Sequence, residues 1–412
     1  MRAAAPYPAL AVGFALLTTV GPMADTRVSD LYLYGQYGRL LADGNLPYLD
    51  FGFEYPPLGI LPIAIAGIPF PGQGGTGGGF DWVFGALMLL CAVAGQRAAA
   101  LFARETVDAR AERTVAWLLV AQPFVIGASL RTHFDLFPVA VTIAGLVLFA
   151  RSRPVTGMVA LGFGTVIKLF PGILAAVSGL WLAGRGEARE LARGAAAFVA
   201  VCVVCTLPFW GGGFVDMFTF HLDRPVQIES TPATVLFAVG GSEVTGTNER
   251  PDRFKSNGLD GGAAGPVAAF FAVLQIVALA AAALLALRRT DPRWLGLCCL
   301  AALLAFVALG KVLSPQYMIW LAPFAALAWV WGERGVAVLC AGAIALTSVW
   351  FPRAYVPLVQ EHEWVIWTVA LRNVLLVAAL GLLFARLATA APTPPAARSR
   401  AARSQPLRAP ST

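Results

Sequence analysis

The sequence predicts an all-α polytopic membrane protein with about 12 transmembrane helices, because apolar runs near the spanning length of about 20 residues recur along it. Of the 412 residues, 58% are hydrophobic and only 13% are charged. The mean hydropathy is +0.71. Soluble domains carry about 25% charged residues, so this composition excludes an ordinary soluble domain.

The apolar runs place the candidate helices in order along the chain. The runs 155–168 and 169–184 meet at the sequence IKLFPG, which fits either a hairpin of short helices or one kinked helix. The run 56–70 is short and interrupted by Pro and Gly, which predicts a helix lying in the outer interface, with a full crossing as the alternative. The other candidates lie near 8–23, 81–103, 114–130, 134–150, 194–210, 263–287, 294–311, 316–331, 335–350 and 364–386.

The two ends of the chain carry segments of different kinds. We interpret 8–23 as a retained first helix; a signal peptide with Arg2 as its charged start is the alternative. The tail 391–412 consists largely of Ala, Pro, Arg and Ser, so we expect it to be disordered and cytoplasmic. Residues 1–390 then form one membrane domain.

Arginine predicts the sidedness, because short cytoplasmic loops are enriched in Arg and Lys. The arginines cluster in alternate connections if 56–70 does not cross, which places loops 24–56 and 211–262 outside the plasma membrane. All three histidines and both intramembrane lysines then gather at the outer face. Ionisable residues at membrane depth are costly and usually mark a functional path, so we expect an extracytoplasmic active site. These residues are His133, His221, His362, Lys168 and Lys311.

The net charge of +7 comes from 30 basic and 23 acidic residues, and no nucleic-acid-binding motif accompanies it. In such a chain a positive balance indicates cytoplasmic loops and contact with anionic membrane lipids. Cys202 and Cys205 form a C-x-x-C pair inside an apolar run, without a second ligand pair. We therefore expect both to be small apolar filler.

A polar stretch, DLYLYGQYGRLLADGNLPYLDFGFEYPPLGI, starts at Asp30 within the first long loop and ends at Ile60. Residues 30–42 have the spacing of an interfacial helix with Tyr34 and Tyr37 on the face of Asp30. By residue type, Asp30 is either a helix N-cap or a functional carboxylate. The following DFGFEYPPL predicts a stiff aromatic lip, because a residue before proline is held extended. The glycine-rich run 71–80 lacks the Lys-Ser/Thr pair of a phosphate loop and is predicted to be a flexible linker.

An ordered set of motifs resembles bacterial glycosyltransferase family 87, of the GT-C membrane fold. The set is SDLYLYGQYGRLLADGNLPYLDFGFEYPPL, RTHFDLFPVAV, GTVIKLFPGIL, HLDRPVQIES and GKVLSPQYMIWLAPF, and the resemblance covers about 8–350. Known members of that family include polyprenyl-phosphate-mannose-dependent alpha-1,2-mannosyltransferases. The resemblance implies a sugar donor linked to a lipid phosphate and a transfer that inverts the anomeric configuration.

The resemblance also implies that the acid after the first helix, here Asp30, is the general base. Such a base must lie within hydrogen-bond reach of the acceptor hydroxyl. The leaving phosphate gains negative charge, so it needs fixed cations or donors. The candidates for that role are Lys311, Arg224 and His221.

Other polar residues of the same motifs are candidates for binding the substrates. Asp135 has three possible roles by sequence: ordering His133, binding a sugar hydroxyl, or pairing with Arg131. Lys168 and Arg131 are further candidates of lower rank. The full substrate-binding set is Tyr34, Glu54, Tyr55, His133, Asp135, Gln227, Gln316 and Tyr317.

Scattered histidines and the absence of a tight carboxylate cluster argue against a built-in metal site or other cofactor. A divalent cation held by Asp30, Asp50 and Glu54 is the minor alternative.

The sequence thus predicts a membrane glycosyltransferase that moves mannose from polyprenyl phosphate to a cell-envelope glycolipid or polysaccharide. One alternative keeps the enzyme class but changes the sugar, for example to arabinofuranose. The alternative from another class is a secondary transporter or lipid flippase. Transporters tend to show inverted repeats and charges near the membrane midplane. We find no clear repeat in the sequence.

Overall fold

The computed structural model describes residues 5–17, 19–20, 28–240, 242–245 and 257–391. Most of these residues form helices that pack side by side. Five helices of the described part are long and apolar enough to cross a membrane by length and composition. The protein is therefore a multi-pass membrane protein. The five are 79–106, 188–209, 264–286, 292–309 and 363–389.

The helices of the first half follow the predicted runs with one clear difference. The run 114–130 is not a continuous helix but three short ones, because Pro123 and Gly127 interrupt it. The count of about 12 spanning helices therefore stays a prediction. The helices are α1 (Pro6–Leu17), α2 (Leu31–Ala42), α3 (Ile60–Gly67), α4 (Gly79–Thr106), α5 (Ala109–Leu119), α6 (Gln122–Ile126), α7 (Ser129–Thr132), α8 (Leu136–Ala150), α9 (Pro154–Ile167) and α10 (Phe170–Gly184).

The second half contains four of the five helices in the described part that are long and apolar enough to cross a membrane. α19 ends at Thr389, close to the predicted domain limit, and the predicted tail beyond Ala391 lies outside the described residues. The helices are α11 (Ala188–Thr206), α12 (Gly212–Asp223), α13 (Thr231–Val239), α14 (Ala264–Ala286), α15 (Pro292–Leu309), α16 (Met318–Val330), α17 (Arg334–Trp350), α18 (Tyr355–Val359) and α19 (Glu363–Thr389).

α9 and α10 form a helical hairpin, which decides between the two interpretations of their run. Side chains pair in antiparallel order, Thr165 beside Gly172 and Met158 beside Gly179. The chain turns at Lys168, whose backbone is extended. The turn therefore holds Lys168 at the end of the bundle.

α2 and α3 lie against each other at that same end of the bundle. A Cβ on Gly67 would stand 2.3 Å from the Cα of Gly38, so only glycine permits this approach. The apolar run Pro57–Gly67 is about 16 Å long at 1.5 Å per residue, which is half of a bilayer core. Such a length fits the predicted interfacial position of 56–70.

The glycine-rich run 71–80 is held by hydrogen bonds to Asp81 and lies against α2, and its predicted flexibility stays a prediction. Asp81 accepts hydrogen bonds from the backbone N–H groups of Gly75 at 2.8 Å and Gly77 at 2.6 Å. Gly74 lies against the first turn of α2, where an added Cβ would be 2.0 Å from the carbonyl oxygen of Leu31. The run thus holds α2 in place.

The second long loop contains a small sheet that the all-α prediction misses. Three short antiparallel strands, β1 (Val226–Gln227), β2 (Glu243–Thr245) and β3 (Gly258–Asp260), pair in the order β1-β3-β2. Ile228 and Leu259 join a separate hydrophobic core with Trp350 and Phe351 at the start of the α17–α18 connection. This second core fixes the loop over the ends of α17 and α19.

The arginine-rich connections meet at one end of the bundle, here called the basic end. Arg185 donates to the carbonyl of Thr290 at 2.7 Å, and Arg288 donates to the carbonyl of Ala388 at 2.9 Å. The connections that carry Asp30, Lys168 and Lys311 lie at the other end, since the helices between them run from one end to the other.

We predict that the basic end is cytoplasmic. A cysteine replacing exposed Thr76 should react with a membrane-impermeant maleimide in intact cells, whereas a cysteine replacing exposed Ala109 should react only after permeabilisation. The unmodified protein measures the background from its own cysteines. Labelling of Ala109→Cys but not Thr76→Cys in intact cells would reverse the orientation.

Candidate active site

A cavity of about 940 Å³ lies at the end of the bundle opposite the basic end. It brings together residues from the first loop, the α9–α10 turn, the small sheet and the α15–α16 connection. Ligand pockets of small molecules have volumes of about 300–1,000 Å³, so this cavity is of the right size for a sugar and its phosphate. Its predicted lining residues are Asp30, Glu54, Tyr55, His133, Lys168, His221, Arg224, Gln227, Lys311, Gln316 and Tyr317.

Asp30 stands at the N-terminus of α2, but its side chain makes no capping hydrogen bond. Its Oδ2 instead accepts hydrogen bonds from the hydroxyls of Tyr34 at 3.1 Å and Tyr55 at 3.3 Å. Nε2 of His133 lies 3.6 Å from the same oxygen. The carboxylate is therefore fixed by a ring of side chains, and the helix-cap interpretation of Asp30 does not hold.

Burial keeps the two phenols in their hydrogen-bond-donating form. It raises the pKa of Tyr34 and of Tyr55 well above their usual range, and the nearby Asp30 carboxylate raises both further. Tyr34 lies behind the carboxylate, packed between Phe84 and Phe134. We infer that Tyr34 supports Asp30, since it is fully buried.

Lys168 forms an ion pair with Asp135, which corrects the possible pairing of Asp135 with Arg131. The ammonium lies 2.7 Å from Oδ1 of Asp135, and that oxygen also accepts a hydrogen bond from the indole of Trp320 at 2.5 Å. The ammonium is also 5.0 Å from the ring centre of Phe134. Arg131 does not line the cavity; its side chain lies against Gly85 of α4.

Two cations predicted to bind the donor phosphate, Arg224 and Lys311, line the cavity near each other. The Lys311 ammonium donates to the carbonyl of Leu222 at 2.5 Å, so this hydrogen bond holds the lysine side chain against the end of α12. Burial and the neighbouring Arg224 lower the pKa of Lys311. An anion bound there would relieve this destabilisation of the charged lysine.

His221 contributes a hydrogen bond and no charge at neutral pH. Burial and the nearby Arg224 lower its pKa to about 4. The neutral ring places Nε2 3.0 Å from the backbone carbonyl of Glu54, so Nε2 carries the proton and donates it. His221 therefore ties α12 to the 54–56 segment, and its role in phosphate binding stays a prediction.

Gln227 braces the loop that carries Lys311. Its backbone N–H donates to the carbonyl of Lys311 at 2.9 Å. Its side-chain oxygen accepts from the backbone N–H of Leu313 at 3.0 Å, and its amide nitrogen donates to Ser314 at 3.1 Å. The carboxamide is thus largely occupied within the protein, so we infer a positioning contribution beside the predicted substrate contact.

Sequence reasoning missed two buried ionisable residues near this cavity. Glu229 lines it and is 1% exposed, and Arg372 of α19 is completely buried. Burial raises the pKa of Glu229 to about 7. Arg372 interrupts an apolar span, so a charged residue at membrane depth was the available signal for it, whereas Glu229 lies in the loop motif HLDRPVQIES.

Comparison with known proteins gives one family match. The model of glycosyltransferase family 87 matches residues 53–240. The protein is a membrane glycosyltransferase. The match confirms the resemblance inferred from the motifs over that segment, and no curated protein matches the chain.

The glycosyltransferase is also similar to solved structures of low sequence identity. One is ArnT from Cupriavidus metallidurans bound to undecaprenyl phosphate, 17% identical, with 93% of this chain and 76% of that chain covered at a TM-score of 0.49. The apo state of the same protein gives 16% identity and the same TM-score, 0.49. The oligosaccharyltransferase of Archaeoglobus fulgidus in its apo form is 14% identical, with 95% of this chain and 56% of that chain covered at 0.44.

The described residues of the glycosyltransferase contain no group of three or more His, Cys, Asp or Glu side chains arranged to hold a metal ion. The carboxyl groups of Asp30, Glu54 and Glu229 all line the cavity, but they do not form such a group. Metal independence stays a prediction.

We predict that the Lys168–Asp135 pair stabilises the fold as a unit. Removing one partner leaves the other charge buried and unpaired, so Lys168→Met should lower the free energy of unfolding by about 3–5 kcal/mol. The double variant Lys168→Met, Asp135→Asn should lose less than the sum of the two single variants. Unfolding in detergent, monitored by circular dichroism, gives the free energy of unfolding of the wild type, the two single variants and the double variant.

The matched control is the exposed pair Arg193–Glu190, whose atoms are 3.3 Å apart. Its variant Arg193→Met should cost less than about 1 kcal/mol. Strict additivity of the Lys168 and Asp135 variants would show that the two side chains do not interact.

Proposed function

We propose that this glycosyltransferase moves a sugar from a polyprenyl-phosphate donor to a glycolipid or polysaccharide acceptor at the outer face of the plasma membrane. Mannose is the first candidate sugar, because the motifs resemble those of mannosyltransferases. The observation that carries the proposal is the shared cavity, in which Asp30 and the cations Arg224 and Lys311 occur together.

The cavity also has an apolar wall, which supports a lipid-linked donor. Leu169 is 37% exposed and Leu222 is 72% exposed, and both line the cavity at its edge. Ile173 and Phe306 extend this wall inward. A polyprenyl chain on this wall would leave its phosphate next to Lys311, because the Lys311 ammonium bonds to the backbone of Leu222.

Asp30 has the environment that a general base requires. Within the described part of the chain, both hydrogen bonds to this carboxylate go to Oδ2, and we infer that Oδ1 receives the acceptor hydroxyl. We infer that the acceptor oxygen attacks the anomeric carbon while Asp30 takes its proton. The bond from that carbon to the phosphate oxygen breaks, and the configuration inverts.

The phosphate gains one negative charge as it leaves, since a phosphodiester becomes a phosphomonoester. Arg224 and Lys311 are already in place to meet this charge, and fixed donors of this kind stabilise a transition state without reorganisation. Lys168 is committed to Asp135, so it contributes less to the phosphate. The polar residues gather at one end of the bundle, which does not fit the midplane site of a transporter.

Asp30→Asn should lower the rate of sugar transfer by about 10²–10⁴, because the amide cannot accept the proton. Folding should be unaffected, since Asn keeps an oxygen for the Tyr34 and Tyr55 hydroxyls. The assay is transfer of radiolabelled sugar from polyprenyl phosphate by purified protein. Exposed Asp43 directly follows the last residue of α2, and Asp43→Asn is the matched control. A well-folded Asp30→Asn protein with wild-type turnover would remove Asp30 from the chemistry.

Lys311→Met should lower turnover by about 10² or more, as loss of one preorganised charge at a developing anion does. The melting temperature in detergent should change little in comparison. Arg334→Gln, which neutralises a cation at the other end of α16 and α17, is the control and should retain activity. Normal turnover of Lys311→Met would place the phosphate elsewhere.

The donor sugar is decided by a panel of polyprenyl phosphates carrying mannose, arabinofuranose or other sugars, each incubated with extracted acceptors. Transfer of one sugar above the others identifies the donor. Turnover of none of them, by a protein that is folded in detergent, would contradict the proposed function.

A further inference from the structure

A second polar cluster lines the same cavity and takes no part in the chemistry described above. Its centre is Glu229, in the turn between β1 and α13. Two side chains of α19 hold this turn from behind: Arg372 donates to the carbonyl of Glu229 at 2.6 Å, and Asn373 donates to it at 3.2 Å. The backbone of Glu229 is therefore fixed by a membrane helix.

One oxygen of the Glu229 carboxylate lacks a hydrogen-bond partner. The Tyr355 hydroxyl lies close enough to stabilise the charged carboxylate, and it accepts a hydrogen bond from the Asn257 amide at 3.2 Å. Oε2 is buried and has no hydrogen-bond partner among the described residues. Buried polar atoms are nearly always paired in native proteins, so an unpaired one on a cavity wall indicates a ligand.

The surroundings of Glu229 select the kind of ligand. Arg372 and Arg224 lie close enough to stabilise the charged carboxylate, so a metal ion would meet nearby positive charge. A phosphate would be repelled by the carboxylate itself. A neutral group that donates a hydrogen bond fits both conditions, and the hydroxyls of a sugar ring are such groups.

The cluster also offers the other contacts that a sugar ring uses. Tyr355 and Asn257 line the cavity beside Glu229 and supply polar atoms of both kinds. Phe351 lines it as well, with its ring perpendicular to that of Tyr355 at 6.0 Å between centres. Val28, two residues before Asp30, packs against the same hydrophobic core, so the cluster adjoins the base.

We propose that Glu229, with Tyr355 and Asn257, is the site that recognises a ring hydroxyl of the reacting sugar and thereby selects it. The inference rests on the proposed function. The hydroxyl belongs either to the donor sugar or to the acceptor sugar that Asp30 deprotonates. Oε2 of Glu229 accepts its hydrogen bond, and the neighbouring Tyr355 hydroxyl helps to position the carboxylate.

The test compares wild type with Glu229→Gln on two sets of single-deoxy analogues, one of the donor and one of the acceptor. For wild type we expect the analogue that lacks the recognised hydroxyl to lose about 10² or more in kcat/KM, as sites built for a substrate hydroxyl do. Glu229→Gln replaces the charged acceptor by a weaker neutral one, so it should lose part of that factor on the parent substrate and discriminate clearly less than wild type against that analogue. If the variant loses discrimination among the donor analogues, the recognised hydroxyl belongs to the donor sugar. If it loses discrimination among the acceptor analogues, the hydroxyl belongs to the acceptor.

Tyr355→Phe provides a second variant if Glu229→Gln does not fold. It removes one hydroxyl, keeps the ring and should weaken discrimination at the same position. Glu243 is an exposed carboxylate on the same small sheet, and Glu243→Gln should change neither kcat/KM on the parent substrate nor the discrimination against the analogue. Unaltered discrimination by Glu229→Gln or Tyr355→Phe would overturn the inference while the proposed function stands. Absence of transfer by wild type would overturn the proposed function and this inference with it.

Discussion

The ion pair between Lys168 and Asp135 determines where the other parts of the cavity lie. One carboxylate oxygen binds the ammonium at 2.7 Å and the Trp320 indole at 2.5 Å, so the α9–α10 turn, α8 and α16 meet at a single atom. A buried pair is favourable only when its geometry is good and its remaining polar atoms are satisfied, whereas Oδ2 of Asp135 is buried without a hydrogen-bond partner among the described residues. Here the aromatic rings of Tyr55, Phe134 and Trp320 surround the ammonium at 5.0–5.5 Å and add cation–π attraction.

The same contacts connect the ion pair to the candidate base. Tyr55 lies against the Lys168 ammonium through its ring and donates to Asp30 through its hydroxyl. Phe134 packs on Tyr55 at 4.8 Å between ring centres and on Tyr34 at 5.7 Å. The position of Asp30 therefore depends on Tyr34, Tyr55 and Phe134. Two of these rings, Tyr55 and Phe134, lie in turn against the Lys168 ammonium. A helix cap alone would fix Asp30 far less firmly.

The sequence allowed the gathering of polar residues at one end to be predicted, because arginine placement and apolar run length are local properties. The sequence did not show which side chains pair with each other. Asp135 and Lys168 are 33 residues apart, and Gln227 and Ser314 are 87 residues apart, so their pairing depends on which helix ends meet. Arg131 is nearer to Asp135 in sequence, yet the helical turns of α7 direct it toward α4. Glu229 was missed because its burial comes from the small sheet and α19, which the motif itself does not reveal.

The charges that line the cavity explain how one site could favour a transition state over its substrate. The cavity is lined by three cationic side chains, Lys168, Arg224 and Lys311, and by the carboxyl groups of Asp30, Glu54 and Glu229, so groups of both signs are present before a ligand binds.

A bound phosphodiester brings one negative charge and the departing phosphomonoester has about two near neutral pH, as its second pKa of about 6 implies. The Lys311 ammonium has three N–H groups, of which the Leu222 carbonyl takes one. Burial has already removed part of its water, as its lowered pKa indicates. Its attraction to the second phosphate charge is therefore screened less than in water, and it grows as the sugar leaves.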